Sequence, residues 1–289
     1  MFKETKICMH SDKISKDVKL LVFSDIHFSG NKDIKKLEKV LEKIKTYSID
    51  YICIPGDTVD DANINCDYLI KWFSKLSLVA PVIVSLGNHD IRVKYKECKS
   101  YYDNIFWDRV EKLDNVYLLN NNCKSFKDVY FYGFTQSFNY YYEYMNENKE
   151  IMKSEMKEYG VCVRIPNKLS VLLMHSPICI GDKKINKELS KYDIVLSGHM
   201  HNGVVPPIFD ELFNNNRGII APNKRVFPKY ARGIIKKDNI TVISGGITKI
   251  SNSAGKVLKW LDIFFPISIN YIEIKKEKVD FEKSIRYYR

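Results

Sequence analysis

Short unbroken apolar runs alternate with stretches of helical period along the first third of the chain. Residues 18–24 (VKLLVFS) form one run, which stops at Asp25. Behind it Ile34, Leu37, Val40, Leu41 and Ile44 recur at helical spacing with lysines between them, predicting a helix over 32–47. Residues 51–54 (YICI) end in Pro-Gly, and residues 82–86 (VIVSL) stop at Gly87. Between and after them, Leu69, Trp72, Phe73 and Leu76 mark a second helix, and Tyr102, Ile105, Phe106, Val110 and Leu113 a third. Apolar runs bounded by turns predict buried strands, and strand–helix alternation builds a parallel sheet by right-handed crossovers. Further strands are predicted at 115–119, 129–134, 169–174, 193–197 and 240–244, with a helical stretch at 139–160. Residues 202–232 contain four prolines and no clear period, which predicts a long loop region over the sheet.

The strands share a property that their apolar residues do not explain. LLVFS runs into Asp25-Ile26-His27, YICIP into Gly56-Asp57, VIVSL into Gly87-Asn88-His89-Asp90, VLLM into His175, and IVLS into Gly198-His199-Met200-His201. Ligands of open α/β sheets bind at the carboxyl ends of strands, so five polar clusters placed there converge on one site. Of six histidines, all but His10 follow a predicted strand. Neutral imidazole and carboxylate are the donor set of Mn, Fe, Zn or Ni. An extended backbone would send His199 and His201 to opposite faces, so both reach one site only if the chain turns between them, which Gly198 and Gly203 permit. Any one cluster alone is weak evidence: Asp-x-His is common, and Gly-Asn-His-Asp suits a plain turn.

The order and identity of the pieces are similar to the calcineurin-like metallophosphoesterases. The chain carries Asp25-x-His27, Gly56-Asp57-x-x-Asp60, Gly87-Asn88-His89-Asp90, His175 and Gly198-His199-x-His201, so the resemblance spans residues 19–203. It implies an α/β fold of two mixed β-sheets in a sandwich flanked by helices, built as a single domain over 1–289. It also implies two divalent metal ions. Asp25, His27, Asp57 and His201 would bind the first, and Asp57, Asn88, His175 and His199 the second. The implied activity is hydrolysis of a phosphate ester, with a phosphodiester expected, by attack of a metal-bound hydroxide. In this family His89 faces the leaving oxygen and Asp60 orients it, while Asp90 is expected to hold its loop by hydrogen bonds. The donors are nitrogen and oxygen without thiolate, which suits Mn²⁺ and also admits Fe or Zn. His175-Ser-Pro, APNKRVFPKYARG and ITVISGGI further resemble a bacterial branch that includes membrane-associated phosphoesterases. Here, however, Asn202-Gly203-Val204 follows the last histidine, where that branch often has Gly-Gly-Gln.

Composition narrows the alternatives. The 289 residues are 45% hydrophobic and 28% charged, an ordinary globular balance. The first residues are charged with no apolar run behind them, so no signal peptide is expected, and no stretch is long enough to span a membrane. Seven scattered cysteines without a C-x-x-C pair predict reduced thiols and a cytoplasmic setting. The net charge of +11 would suit an anionic partner. A nuclease of the same superfamily is the alternative enzyme, but residues 248–289 are too few for an added nucleic-acid domain, and nucleic acid is not the expected partner. A metal-free binding scaffold would have lost ligands that are all present here. The aromatic run Phe138–Tyr144 is expected to pack, and Cys179 to be structural.

Two apolar segments suggest peripheral membrane contact: Val204–Phe209 with Leu212 and Phe213, and Val257–Phe265. Arg217, Lys224, Arg225, Lys229, Arg232, Lys256 and Lys259 flank them. The alternative is that these segments close the core over the sheet edge.

Overall fold

The computed structural model describes residues 1–60, 65–95, 102–142, 149–161, 167–213, 216–222, 225–250, 260–277 and 286–288. The predicted alternation folds as expected over the first third. Strands β2 (Val18–Val22), β3 (Tyr51–Pro55) and β4 (Val82–Ser85) are separated by helices α1 (Ile34–Ile44) and α2 (Asp67–Ser77). The first helix is shorter than the predicted 32–47, because residues 31–33 form a separate 3-10 turn. Besides three short strands introduced below, two long strands had no counterpart in the apolar pattern: β1 (Phe2–His10) and β12 (Ile267–Lys275). They pair in parallel over nine residues, from Phe2 with Ile267 to His10 with Lys275.

With β5 (Val116–Leu119) and the short β13 (Arg286–Tyr288), these strands form a seven-stranded sheet ordered β13-β1-β12-β2-β3-β4-β5. Strands β2 to β5 are mutually parallel, while β12 is antiparallel to β2. The second sheet uses β6 (Asn122–Ser125), β7 (Val129–Phe134), β8 (Leu169–Met174), β9 (Ile194–Ser197), β10 (Gly233–Lys236) and β11 (Ile240–Ile243), in the order β10-β11-β9-β8-β7-β6. It too is mixed, because the two outer pairings are antiparallel.

Strand residues alternate between two apolar environments, which is why they read as continuous runs rather than as half-polar strands. Leu20, Val22, Cys53 and Ile83 face inward and meet Val171, Leu173, Leu196 and Val242 of the other sheet. Leu21, Phe23, Ile52 and Ile54 face outward, under the apolar stripes of α1 and α2. Trp72 anchors that layer, fully buried with its indole N–H bonded to the Leu37 carbonyl at 3.0 Å. Over the second sheet lie α6 (Lys149–Glu158) and α7 (Lys183–Leu189).

Other expectations divide. Residues predicted as one helix over 139–160 give α5 (Phe138–Tyr142) and α6, with 143–148 outside the described residues. Tyr140 and Tyr141 are buried, as a packing role requires. Gly-Asn-His-Asp is no plain turn: Asn88 opens α3 (Asn88–Tyr95), which precedes α4 (Tyr102–Glu111). The predicted loop at 202–232 contains 3-10 turns at His201–Val204 and Pro207–Phe213 and a bridge between Ile220 and Val226. Cys53 and Cys123 are free thiols, while Cys98 and Cys162 lie outside the described residues. Among the described residues no helix is long and apolar enough to cross a membrane. Lys224, Lys256 and residues 257–259 also fall outside them.

Candidate metal centre

Each functional side chain stands just past the end of a central strand. The loops after β2 and β3 run side by side and extend the parallel ladder. Asp25 N–H donates to the Gly56 carbonyl at 3.1 Å, and His27 N–H to the Asp57 carbonyl at 3.0 Å. From the second sheet, Gly198 N–H donates to the His175 carbonyl at 3.0 Å. The loop after β11 then crosses to the first sheet, where Ile247 and Thr248 N–H donate to the Ser24 and Asp25 carbonyls, each at 2.9 Å. The site therefore sits where the carboxyl edges of both sheets meet.

Six of the seven predicted ligand residues, Asp25, His27, Asp57, His175, His199 and His201, come together there in overlapping groups, and Asn88 precedes His89 of a further group. Donor atoms of Asp25, His27 and His201 lie within 4.8 Å of one another, as do those of Asp57, His175 and His199. A third group, His27, Asp57 and His89, joins them. The chain does turn between His199 and His201: both have positive φ (68° and 47°), and the buried Met200 lies between them. Asp25, His27 and Asp57 also have positive φ, at 49°, 47° and 55°. This backbone costs an L-residue about 1–2 kcal/mol, and such outliers persist where surrounding structure over-determines them. Close approach is the other requirement. A Cβ on Gly56 would meet His175 Nδ1 at 2.5 Å, and one on Gly87 would collide with the Asp57 carboxylate.

Hydrogen bonds to the imidazoles fix which nitrogen faces the centre. His175 Nδ1 bonds the Pro55 carbonyl and His201 Nδ1 the Thr248 carbonyl, both at 2.8 Å, while His27 Nδ1 bonds the Asp60 carboxylate at 3.2 Å. A carbonyl or carboxylate there takes the Nδ1 proton, so Nε2 presents a lone pair to the site. His27 Nε2, His175 Nε2, His199 Nε2 and Asn88 Oδ1 are buried without a hydrogen-bond partner. These four predicted donors lack a hydrogen bond, and His27 Nε2 and His175 Nε2 have the Asp57 carboxylate as an ion-pair neighbour, a donor set that a cation would satisfy.

Charge points the same way. Asp25, Asp57, Asp60 and Asp90 are all buried, and buried carboxylates need countercharge. Among the described residues the ion pairs of Asp25 and Asp57 are with histidines: His175 Nε2 is 3.1 Å from Asp57 and 4.0 Å from Asp25, His27 Nε2 is 3.4 Å from Asp57, and His201 Nε2 is 3.8 Å from Asp25. Burial works against ionising Asp57, yet His175, His89 and His27 hold it well below the usual carboxylate range. Burial also opposes protonation of His175, but the Asp57 charge overrides it and lifts the imidazole to about 9. Burial and neighbouring imidazoles instead hold His199 well below its ordinary value. The cluster thus offers nitrogen and oxygen donors around an ionised Asp57 and no thiolate, a set that fits divalent metals.

Asp60 and Asp90 play different parts. The Asp60 carboxylate bonds the predicted ligand His27; its main-chain carbonyl accepts from His89 Nδ1 at 3.1 Å, with the carboxylate 3.4 Å away. Asp60 therefore orients two imidazoles, where the motif implied one. Asp90 holds the loop as expected: one oxygen accepts from Thr58 and Val59 N–H and the other from Gly87 N–H, at 2.9–3.1 Å. Burial and the Asp57 charge push its carboxyl up to about 7. At the start of α3, His89 N–H donates to Asp57 at 2.9 Å, a helix N-terminus aimed at the shared carboxylate. Nothing in the apolar or polar pattern marks out Thr248, or the Tyr141 ring 5.6 Å from His199.

Two mixed sheets in a sandwich, with buried carboxylates and imidazoles on the loops at their common carboxyl edge, define an α/β protein with a candidate divalent-metal centre. The chain belongs to the calcineurin-like phosphoesterase family, whose model matches residues 18–203. An uncharacterized metallophosphoesterase of Helicobacter pylori is 24% identical over 205 residues, covering 71% of this chain and 50% of that protein. One of Aquifex aeolicus is 26% identical over 236 residues, covering 76% of this chain and 80% of that one. The chain thus spans about half the length of the Helicobacter relative. Among solved structures, GAP50, the anchor in the inner membrane complex of Plasmodium, matches with a TM-score of 0.49 at 13% identity, covering 95% of this chain and 89% of that one.

Proposed function

We propose that this protein is a metal-dependent phosphoesterase that holds two divalent cations and hydrolyses a phosphate ester, by preference a phosphodiester, in the cytoplasm. The observation that carries the reading is the convergence of unpartnered buried donors, His27 Nε2, Asn88 Oδ1, His175 Nε2 and His199 Nε2, around an ionised Asp57. Asp25, His27, Asp57 and His201 would hold one cation, and Asp57, Asn88, His175 and His199 the other. Paired divalent cations supply Lewis-acid polarisation of the phosphoryl oxygens and acidify a water toward neutral pH. Manganese suits this donor set best, with iron or zinc as alternatives.

The chain itself does the rest. Carbonyls of Pro55 and Thr248 and the Asp60 carboxylate keep the ligand imidazoles in one tautomer. The neutral Asn88 amide gives an oxygen without adding a further buried charge. His89 gives a proton to the leaving oxygen, and the Asp60 carboxylate stabilises its charged form at 3.4 Å. A monoanionic diester suits a centre whose carboxylates Asp25 and Asp57 are paired with histidines rather than with a lysine or arginine clamp. Seven scattered cysteines without a C-x-x-C pair support a reducing compartment.

Chelation should abolish hydrolysis of an aryl phosphodiester, and Mn²⁺ should restore it. Elemental analysis of the restored protein should find two ions per chain, and Asp57→Asn should lose them. Full activity after verified metal removal overturns the reading.

A further inference from the structure

A face beside the metal centre is apolar where a soluble surface is ordinarily polar. The 3-10 turn Pro207–Phe213 follows directly on the turn that carries His201. It exposes Ile208 (83%), Leu212 (78%) and Phe209. Its inner side is pinned, because Asp210 pairs with Lys3 and with Arg232, the latter at 2.8 Å. In a 3-10 turn residues three apart share a side, so anchoring Asp210 inward leaves Phe209 and Leu212 together on another side. Next to it the bridge between Ile220 and Val226 exposes Val226 and Phe227, and Phe213 stacks on Phe227 at 6.4 Å and 9°. The two segments therefore make one surface. Exposed large hydrophobic residues are few elsewhere: apart from this face and the turn at Ile263 and Phe264, they are Met1, Leu78 and Phe138 among the described residues.

The charges around this face are mostly of one sign. Arg217, Arg225 and Lys229 are exposed beside the apolar tips, against the single exposed carboxylate of Glu211 on the 3-10 turn. Arg225 to Tyr230 also line a cavity of about 430 Å³ that reaches Met200, between His199 and His201.

We infer that this face docks on an anionic lipid bilayer, with Ile208, Phe209, Leu212 and Phe227 entering the acyl boundary and Arg217, Arg225 and Lys229 meeting the headgroups. Ile208 and Leu212, which project by most of their area, suit a fluid apolar phase. A protein partner would call for a flatter, shape-complementary patch. Cations at the rim add affinity only for anionic headgroups, and salt screens that part. The purpose of the contact, presenting a lipid phosphodiester to the centre, rests on the proposed function. The contact itself does not, since none of these side chains is a metal ligand.

The test is co-sedimentation of the whole chain with vesicles of phosphatidylcholine alone or mixed with phosphatidylglycerol, at low and high salt, with and without chelator. Pelleting with the anionic vesicles at low salt, weakened by salt and unaffected by chelator, is expected. Ile208→Ser/Leu212→Ser should weaken binding about tenfold or more, and Arg217→Ala about fivefold. Both should keep wild-type aryl diester hydrolysis, which shows that the fold is intact. The inference is overturned if wild type stays in the supernatant at low salt, or if the double variant pellets like wild type. It is also overturned if wild type is a dimer that Ile208→Ser/Leu212→Ser splits, which would assign the face to a second copy. A wild type that binds vesicles but hydrolyses nothing would leave the docking surface standing and remove the phosphoesterase reading.

Discussion

At the scale of single residues, the proposed function divides the centre into groups that would hold metal and groups that would act on substrate, and substitutions should separate them. His89→Ala removes an imidazole whose Nδ1 faces a main-chain carbonyl rather than the centre. It should keep two ions per chain while slowing turnover about 10²–10⁴-fold, most for esters with poor leaving groups. Asp60→Asn should do more, because the same carboxylate bonds the ligand His27. Loss of that bond loosens the ligand as well as the acid, so metal content should fall together with rate. A His89→Ala protein empty of metal would make His89 a ligand. An Asp60→Asn protein with full metal would show that the bond to His27 does not support binding. The ligand types were legible in the sequence because each sits at the end of an apolar run. The sharing of Asp60 was not, since it depends on how two loops pack.

At the scale of elements, what the sequence showed followed from burial. Strands covered on both faces stand out as apolar runs, and β2, β3, β4, β8 and β9 were all found that way. Strand β1 was missed because only Thr5, Ile7 and Met9 of its nine residues are buried, and charged residues alternate with them. Strand β12 was missed because Ser268 and Asn270 are buried within it, where Ser268 accepts a hydrogen bond from Lys249 at 3.1 Å. Helix α3 was hidden by Gly, Asn and Asp, which favour turns but here form a helix N-terminus. That terminus gives Asp90 its leverage on Asp57, since the two loops meet on one carboxylate. Asp90→Asn places an amide where three N–H groups point. It should weaken Mn²⁺ binding about 10–100-fold with every ligand still present. Calorimetric titration giving wild-type affinity would reduce Asp90 to a bystander.

At the scale of the whole molecule, protonation and metal compete. His175 is raised from 6.5 to about 9 by Asp57, so in the metal-free protein it is charged at neutral pH. A folded-state value above the unfolded one stabilises fully below pH 6.5, and the gain is lost as pH rises through about 9. The melting temperature of the metal-free protein should therefore fall over that window, less so in His175→Gln. Metal uptake near neutral pH should release at least one proton, read from the dependence of binding heat on buffer ionisation. A flat melting profile with no proton release would put the charge elsewhere.

The crossing loop after β11 has a consequence for where the molecule can be cut. The family model's match ends at residue 203, yet Thr248 lies beyond it, accepts a hydrogen bond from His201 Nδ1 and ties itself to Asp25. Beyond it too lie β11, which pairs with β9, and β12, which pairs with β2. A fragment trimmed to 18–203 would open an unpaired edge on each sheet beside the site, and such edges invite aggregation. Expressed alone, that fragment should be insoluble or bind no Mn²⁺, although it carries every ligand: the minimal catalytic unit is larger than the stretch that similarity marks out.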